Sequence, residues 1–358
     1  LLELRINHQK KEGLLTMANF EDLRKHLLGE KKSSHIFIGD LFIDELLLKA
    51  YCEKHLQKEW IRKDEDIRGY CDNKIAVYKD MGFTFVPESH WIHSWIGIPE
   101  VATWINEHAG LIKDRKDFDR FPWDAIEPYM EEHKALCDLL PEDMKIVVET
   151  GSFQDILDVI VGYESTFLMI YDDPQLLNDI IDRWFSFKLH FYTMMVEKPQ
   201  VGAIWHADDL GSKTGLLISP DFVRQHLVPW YKQYSDAIHK ADKMFWFHCC
   251  GNIYNDNIIV DLIYTVKIDA FHSFQDSIMP VQDFLTRYGS DVGVIGGIDV
   301  DFLSTSTPDE IKRYIEPILA TAERTGRYAL GSGNSVTDYV PLENWETVLE
   351  MARAKGRV

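Results

Sequence analysis

The chain has 358 residues, long enough for one large α/β barrel or for two ordinary domains. Hydrophobic residues make up 46% and charged residues 27%, the balance of a soluble globular protein with ample material for a core. With 38 basic against 58 acidic side chains the formal net charge is -20, a field that repels phosphate backbones and argues against a nucleic-acid partner.

The opening stretch "LLELRINHQKKEGLLTMANF" mixes basic and apolar residues without a long apolar run, so it does not read as a signal peptide. Met17 is a candidate start residue within it. Residues 1–34 are expected to form an N-terminal helical extension, and residues 35–358 a single barrel. No stretch approaches the roughly 20 apolar residues of a membrane span. The cysteines (Cys52, Cys71, Cys137, Cys249 and Cys250) are odd in number and sparse, unlike a disulfide framework. They point to a reducing, cytoplasmic compartment with thiols free for metal or packing.

From residue 35 onward, short apolar segments alternate with helical patterns. The predicted strands are "HIFIGD" (35–40), "GFTFVP" (82–87), "KIVVETG" (145–151), "GAIWHAD" (202–208), "MFWFHCC" (244–250), "IDAFHS" (268–273), "VGVIGG" (292–297) and "YALGSG" (328–333). They are apolar on both faces and rich in β-branched or aromatic residues, as in a parallel sheet covered by helices. One predicted helix starts with Ser219 as N-cap and Pro220 in its first turn. Another starts with Thr307 and Pro308 and ends at Gly326. Eight such units are the arithmetic of a (β/α)₈ TIM barrel, with an open doubly wound sheet as the alternative.

A barrel of this kind carries its site at the C-terminal strand ends. The polar residues there are Asp40, Glu149, His206, Asp208, Asp209, His248, Cys250, His272, Gln275, Asp299, Ser332 and Asn334. In "FHCCGN", His248 and Cys250 are two apart, so both project from the same strand face while Cys249 faces the helices. Imidazole plus thiolate suits zinc, and Gly251 allows a sharp turn. The bland alternative is a small buried thiol beside a hydrogen-bonded histidine. In "WHADDLGSKTG", His206 and Asp208 share a face and Asp209 starts the loop. Such carboxylates can hold a cation, orient an amine or do acid–base work, or simply cap a turn. The glycine-containing "GSGNSVTDYVP" offers an anion-binding nest, or an ordinary loop. The aromatic segment "ESHWIHSWIG" (88–97) is open between a substrate lid and core packing.

Taken together, "WHADDLGSKTGLLISPDFVRQHLVPWYKQ", "FHCCGN", "GGIDVDFLSTSTPDEIKRYI" and "GSGNSVTDYVPLEN" resemble the uroporphyrinogen decarboxylase superfamily. The resemblance implies a TIM barrel with one of two activities. Decarboxylases of the family use an arginine-rich N-terminal loop of the "MRQAGRY" type, where this chain has "FIGDLFIDELLLKAY", without an arginine to grip a polycarboxylate. The other branch contains corrinoid-linked methyltransferases, which hold zinc on an H-x-C pair and a later cysteine in the last-strand loop. His248 and Cys250 match the pair. The last loop has Ser332, Asn334 and Ser335 but no cysteine, which leaves Glu149, His206 or Asp208 as third ligands, or a site without metal.

The resemblance thus implies a zinc-dependent methyltransferase acting with a corrinoid protein on a small methylated compound or thiol acceptor. His248 and Cys250 would hold Zn²⁺, and Asp208, Asp209 and His206 would be catalytic. Asp40, Glu149, His272, Gln275 and Asn334 would bind substrate. The alternatives are a metal-free decarboxylase and a non-catalytic barrel that binds a corrinoid or small metabolite.

Overall fold

The computed structural model describes residues 18–96 and 110–355. Eight strands run in chain order: β1 (Phe37–Ile38), β2 (Phe85–Ser89), β3 (Lys145–Thr150), β4 (Val201–Ala207), β5 (Met244–His248), β6 (Ala270–His272), β7 (Gly293–Ile295) and β8 (Tyr328–Leu330). Every ladder is parallel, in the order β1-β8-β7-β6-β5-β4-β3-β2. A doubly wound sheet would reverse its strand order at a switch point. Here neighbours in sequence are neighbours in the sheet, and β8 returns to β1. The fold is therefore a TIM-barrel type of α/β structure, and its seam lies between β1 and β2, which no ladder joins among the described residues.

The expected helix signals work as capping chemistry. Ser219 accepts from the Phe222 amide at the start of its helix. Thr307 and Glu310 form a reciprocal capping box at the start of α6 (Pro308–Thr325), which Gly326 ends with φ 77°. Three further helices cover the barrel beside the site: α2 (Ile67–Met81), α3 (Glu131–Leu139) and α4 (Pro174–Val196). A fourth, α5 (Val228–Lys240), packs on α4 and β5.

The barrel axis is filled with aromatic rings. Trp205 on β4 and Trp246 on β5 meet edge to face at 5.1 Å, and Phe85 on β2 stands 5.4 Å from Trp246. From the N-terminal segment, α1 (Phe20–Leu27) lies under this layer, with the Phe20 ring 6.2 Å from Trp246. Gly202 makes that approach feasible, because a Cβ there would lie 2.5 Å from the Phe20 ring. All four rings are buried, so the bottom of the barrel is a closed aromatic floor. Above it, parallel register lines up Ala207, His248 and His272 in one row across β4, β5 and β6.

Candidate active site

The inward direction of Trp205 and Trp246 fixes the side of every later residue on their strands. On β5, His248 is two residues past Trp246 and Cys250 four, so both project into the mouth. Cys249 points the other way, fully buried, where its sulfur accepts from the Leu210 amide at 3.4 Å. Gly251 adopts φ 88°, and any Cβ on it would lie 2.2 Å from the Gly211 backbone, so the turn after Cys250 requires glycine.

At the mouth, Cys250 Sγ lies 3.2 Å from His248 Nε2, and Asp209 Oδ1 lies 3.6 Å from the same nitrogen. The donor atoms of Asp209, His248 and Cys250 all fall within 4.8 Å of one another. Asp209 Oδ1 also accepts from the Cys250 amide at 2.8 Å, which ties the acidic loop to the end of β5. Asn334 Nδ2 donates to Cys250 Sγ at 3.3 Å, from the loop where the family resemblance places a cysteine.

The histidine is already in the tautomer that a metal needs. The Ser332 carbonyl can only accept, so His272, whose Nε2 is 3.3 Å from it, carries its proton on Nε2. His272 Nδ1 then accepts from His248 Nδ1, 2.7 Å away. That places the proton of His248 on Nδ1 and leaves the Nε2 lone pair facing Cys250 and Asp209. Burial lowers the pKa of His248, against the opposing pull of Asp209. Burial and the neighbouring His248 together push His272 well below the ordinary histidine value. Both rings are thus neutral near pH 7. Burial, and then the Asp209 carboxylate, raises the Cys250 thiol strongly. A carboxylate, a thiol that resists ionisation alone and a free imidazole lone pair form a set that a divalent cation would complete, with three protein donors as in open catalytic sites.

Asp209 and His248 border a cavity of about 530 Å³, whose lining also includes Trp91, Glu149, Asp155, Asp158 and Tyr163. Burial raises Glu149 to about 7, against a hydrogen bond from Trp91 Nε1 at 3.2 Å. Asp158 is likewise raised by burial to about 6. Asp155 is paired at 2.8 Å with Lys188, a fully buried cation that lies 4.3 Å from the centre of the Trp95 ring. No lysine or arginine lines the cavity among the described residues.

The other sequence-predicted site residues lie elsewhere. His206 and Asp208 do share a face, but it is the helix-facing one, because His206 directly follows the inward Trp205. Asp208 accepts from His206 Nε2 and the Tyr231 hydroxyl, each at 2.7 Å, and from the Ser152 and Gln154 amides, each at 2.9 Å. Burial favours its protonation, but His206 and then the Gln154 amide outweigh that and hold its pKa below the ordinary value. This pair is fully buried, so neither residue reaches the mouth to ligate or do acid–base work. Asp208 instead clamps the loop after β3 that presents Gln154, Asp155 and Asp158.

Asp40 is also buried, clasped by the Ser332 amide at 2.7 Å and its hydroxyl at 3.0 Å. The nest expected in the last-strand loop is therefore occupied by the chain's own carboxylate, across the β1–β8 ladder. His272 lies beneath His248 and orients it, outside the cavity lining. Gln275 is exposed on the loop after β6, away from that lining. Glu149 and Asp209 do line the cavity, and Asn334 touches Cys250.

Sequence reasoning missed Gln154, Asp155, Asp158 and Tyr163. The signal was present: "FQDILD" begins just after the third strand, where a barrel places its functional loop. In "ESHWIHSWIG", Trp91 lines the cavity and Trp95 joins a buried aromatic cluster, while Gly97 lies outside the described residues.

A family model described as Uroporphyrinogen decarboxylase (URO-D) matches residues 91–355. No curated protein matches the sequence. Among solved structures, a methyltransferase from Methanosarcina mazei superposes with a TM-score of 0.72 at 16% identity, covering 94% of this chain and 99% of that one. An exo-beta-1,4-mannosidase, Op5Man5, from Opitutaceae bacterium strain TAV5 gives a TM-score of 0.47 at 11% identity over 90% of this chain and 59% of its own.

Proposed function

The chain belongs to the uroporphyrinogen decarboxylase family, and we propose that it is a methyltransferase that holds Zn²⁺ on Asp209, His248 and Cys250 and exchanges a methyl group with a corrinoid on a partner protein. The observation that carries this reading is the convergence of those three donors within 4.8 Å of one another, two of them, Asp209 and His248, in the cavity wall. Its likeness in fold to a solved methyltransferase supports it. The corrinoid partner follows the branch that the H-x-C pair resembles.

Zn²⁺ at this position supplies Lewis acidity that ionises a thiol acceptor or polarises the leaving heteroatom of a methyl donor. The chain's own residues do the rest. His272 and the Ser332 carbonyl keep the His248 lone pair turned into the mouth. Asn334 steadies the Cys250 sulfur. Glu149, with a pKa of about 7, takes the proton of an incoming thiol or returns one to a leaving heteroatom at neutral pH. Trp91 and Tyr163 give the cavity apolar surface.

Asp209, the partly ionised Asp158 and Glu149, and a lining without lysine or arginine among the described residues disfavour anions, so the small substrate is neutral or cationic. The same field disfavours a polycarboxylate porphyrinogen, and incubation with uroporphyrinogen is expected to yield no coproporphyrinogen. Purified without a metal-chelating tag, the chain is expected to carry near-stoichiometric zinc. With methylcobalamin in place of the corrinoid protein, it is expected to release cob(I)alamin when a neutral thiol is the acceptor. In the reverse sense it would methylate cob(I)alamin from a small methylated amine or ether. A zinc-free chain that turns over uroporphyrinogen instead would overturn this reading.

A further inference from the structure

A second cluster of ligating side chains lies on the opposite face of the barrel wall. On β2, Phe85 faces the aromatic floor, so Glu88 points outward towards α2 and α3, and His90, just past the strand end, extends that same side. There they meet His133 of α3. Glu88 is 1% exposed and the two histidine side chains 3% each, and the donor atoms of the three lie within 4.8 Å of one another.

Glu88 Oε2 is paired with His133 Nδ1 at 2.7 Å. The other half of the cluster is not satisfied in that way. Glu88 Oε1 and His90 Nε2 form a buried ion pair 3.0 Å apart whose angles fall short of a well-aligned hydrogen bond. A carboxylate held between two buried imidazoles has given up water on every side, so its remaining contacts must come from groups within the cluster. The Oε1–Nε2 spacing is close to the roughly 3.3 Å that separates two ligands of a tetrahedral zinc with metal–donor bonds of about 2.0 Å. A cavity of about 280 Å³ adjoins Glu88 and His90, with space for a further ligand.

We propose that Glu88, His90 and His133 form a second divalent-metal site, free of sulfur and distinct from the trio at the mouth. The donor set of two imidazoles and one carboxylate takes zinc or cobalt, with the remaining coordination position facing the adjoining cavity. The ion joins the end of β2 to α3.

Co²⁺ is the probe, because, of the two donor sets, only the mouth's includes a thiol; Cys137 Sγ meets His133 at Nε2, 3.4 Å away, while Glu88 is paired with the other ring nitrogen. The metal-stripped wild-type chain is titrated with Co²⁺ and examined by visible and X-ray absorption. A cobalt population without sulfur ligation, whether alone or beside a sulfur-ligated one, is the expected result. Cys250→Ser should retain the sulfur-free population, and His133→Gln should lose it while keeping any charge-transfer band from the mouth. If the wild-type chain binds no cobalt, or binds it only with sulfur ligation, the second site does not exist. A sulfur-free population that survives His133→Gln would equally overturn the assignment. Because the wild-type spectrum is decisive by itself, a variant that fails to fold does not rescue the proposal. Failure of the mouth to bind metal would show separately, as a missing sulfur-ligated population.

Discussion

Cys249 and Cys250 are adjacent in sequence but belong to different environments, one packed among the helices and the other beside His248 and Asp209. Replacing Cys250 with Ser removes the soft donor and is expected to strip zinc from the mouth. Cys249→Ser should keep it there, at a stability cost of about 1–3 kcal/mol if the new hydroxyl stays unpaired. Zinc at the mouth, measured by absorption-edge sulfur ligation, checks the pair: equal loss from both variants would mean that these thiols serve packing only. His272 offers a subtler test. His272→Phe removes the acceptor that fixes the His248 tautomer, and zinc affinity should drop by about 10–100-fold. Competition against a chromophoric chelator reads this directly, and an unchanged affinity would refute the orienting chain from Ser332.

Within the strands, the difference between β4 and β5 is one of parity. Trp205 and Trp246 stand side by side in register and both face the axis. On β4 the histidine comes one residue after the tryptophan, and on β5 two. His206 is therefore in the helix layer and His248 at the mouth. The sequence shows that His206 and Asp208 share a side, but not which side, since both faces of a buried parallel strand are apolar. Only the packing of the two indoles decides it. The role of Asp208 follows from that burial. Asp208→Ala would leave His206, the Tyr231 hydroxyl and two amides without their acceptor, and is expected to cost about 3–5 kcal/mol in urea unfolding. A loss below about 1 kcal/mol would mean that the clamp on the β3 loop is dispensable. The third donor was hidden for a related reason: Asp209 is brought to Cys250 by a backbone amide, a contact that spacing along the chain does not report.

At the scale of the whole molecule, all eight strands and the capped helices could be read from apolar runs and capping residues, since burial and capping are local in sequence. The β1–β8 ladder and the partner of Asp40 could not, because they pair residues from opposite ends of the chain. That pairing has a pH signature. Burial raises Asp40 to about 8, from 3.8 in the unfolded chain. Between those values the folded chain holds the extra proton, so stability falls as pH rises, by at most about 1.4 kcal/mol per pH unit for each such group. Glu149 and Asp158, raised to about 7 and about 6, add to the same trend lower in the window. Asp40→Asn is expected to flatten the upper part of the slope in urea unfolding followed across that range. A slope identical to wild type would show that Asp40 is already ionised.

Among the described residues, the aromatic floor made by Phe20, Phe85, Trp205 and Trp246 closes the end of the barrel opposite the mouth and leaves the mouth as the way in. Whatever enters from the mouth also leaves by the mouth, so two visitors cannot pass each other inside. If a bulky protein brings the methyl carrier to that opening, the small reactant has to be seated before the carrier docks, and its product waits until the carrier departs. Order of arrival then becomes a property of the architecture, imposed by four rings that touch neither reactant.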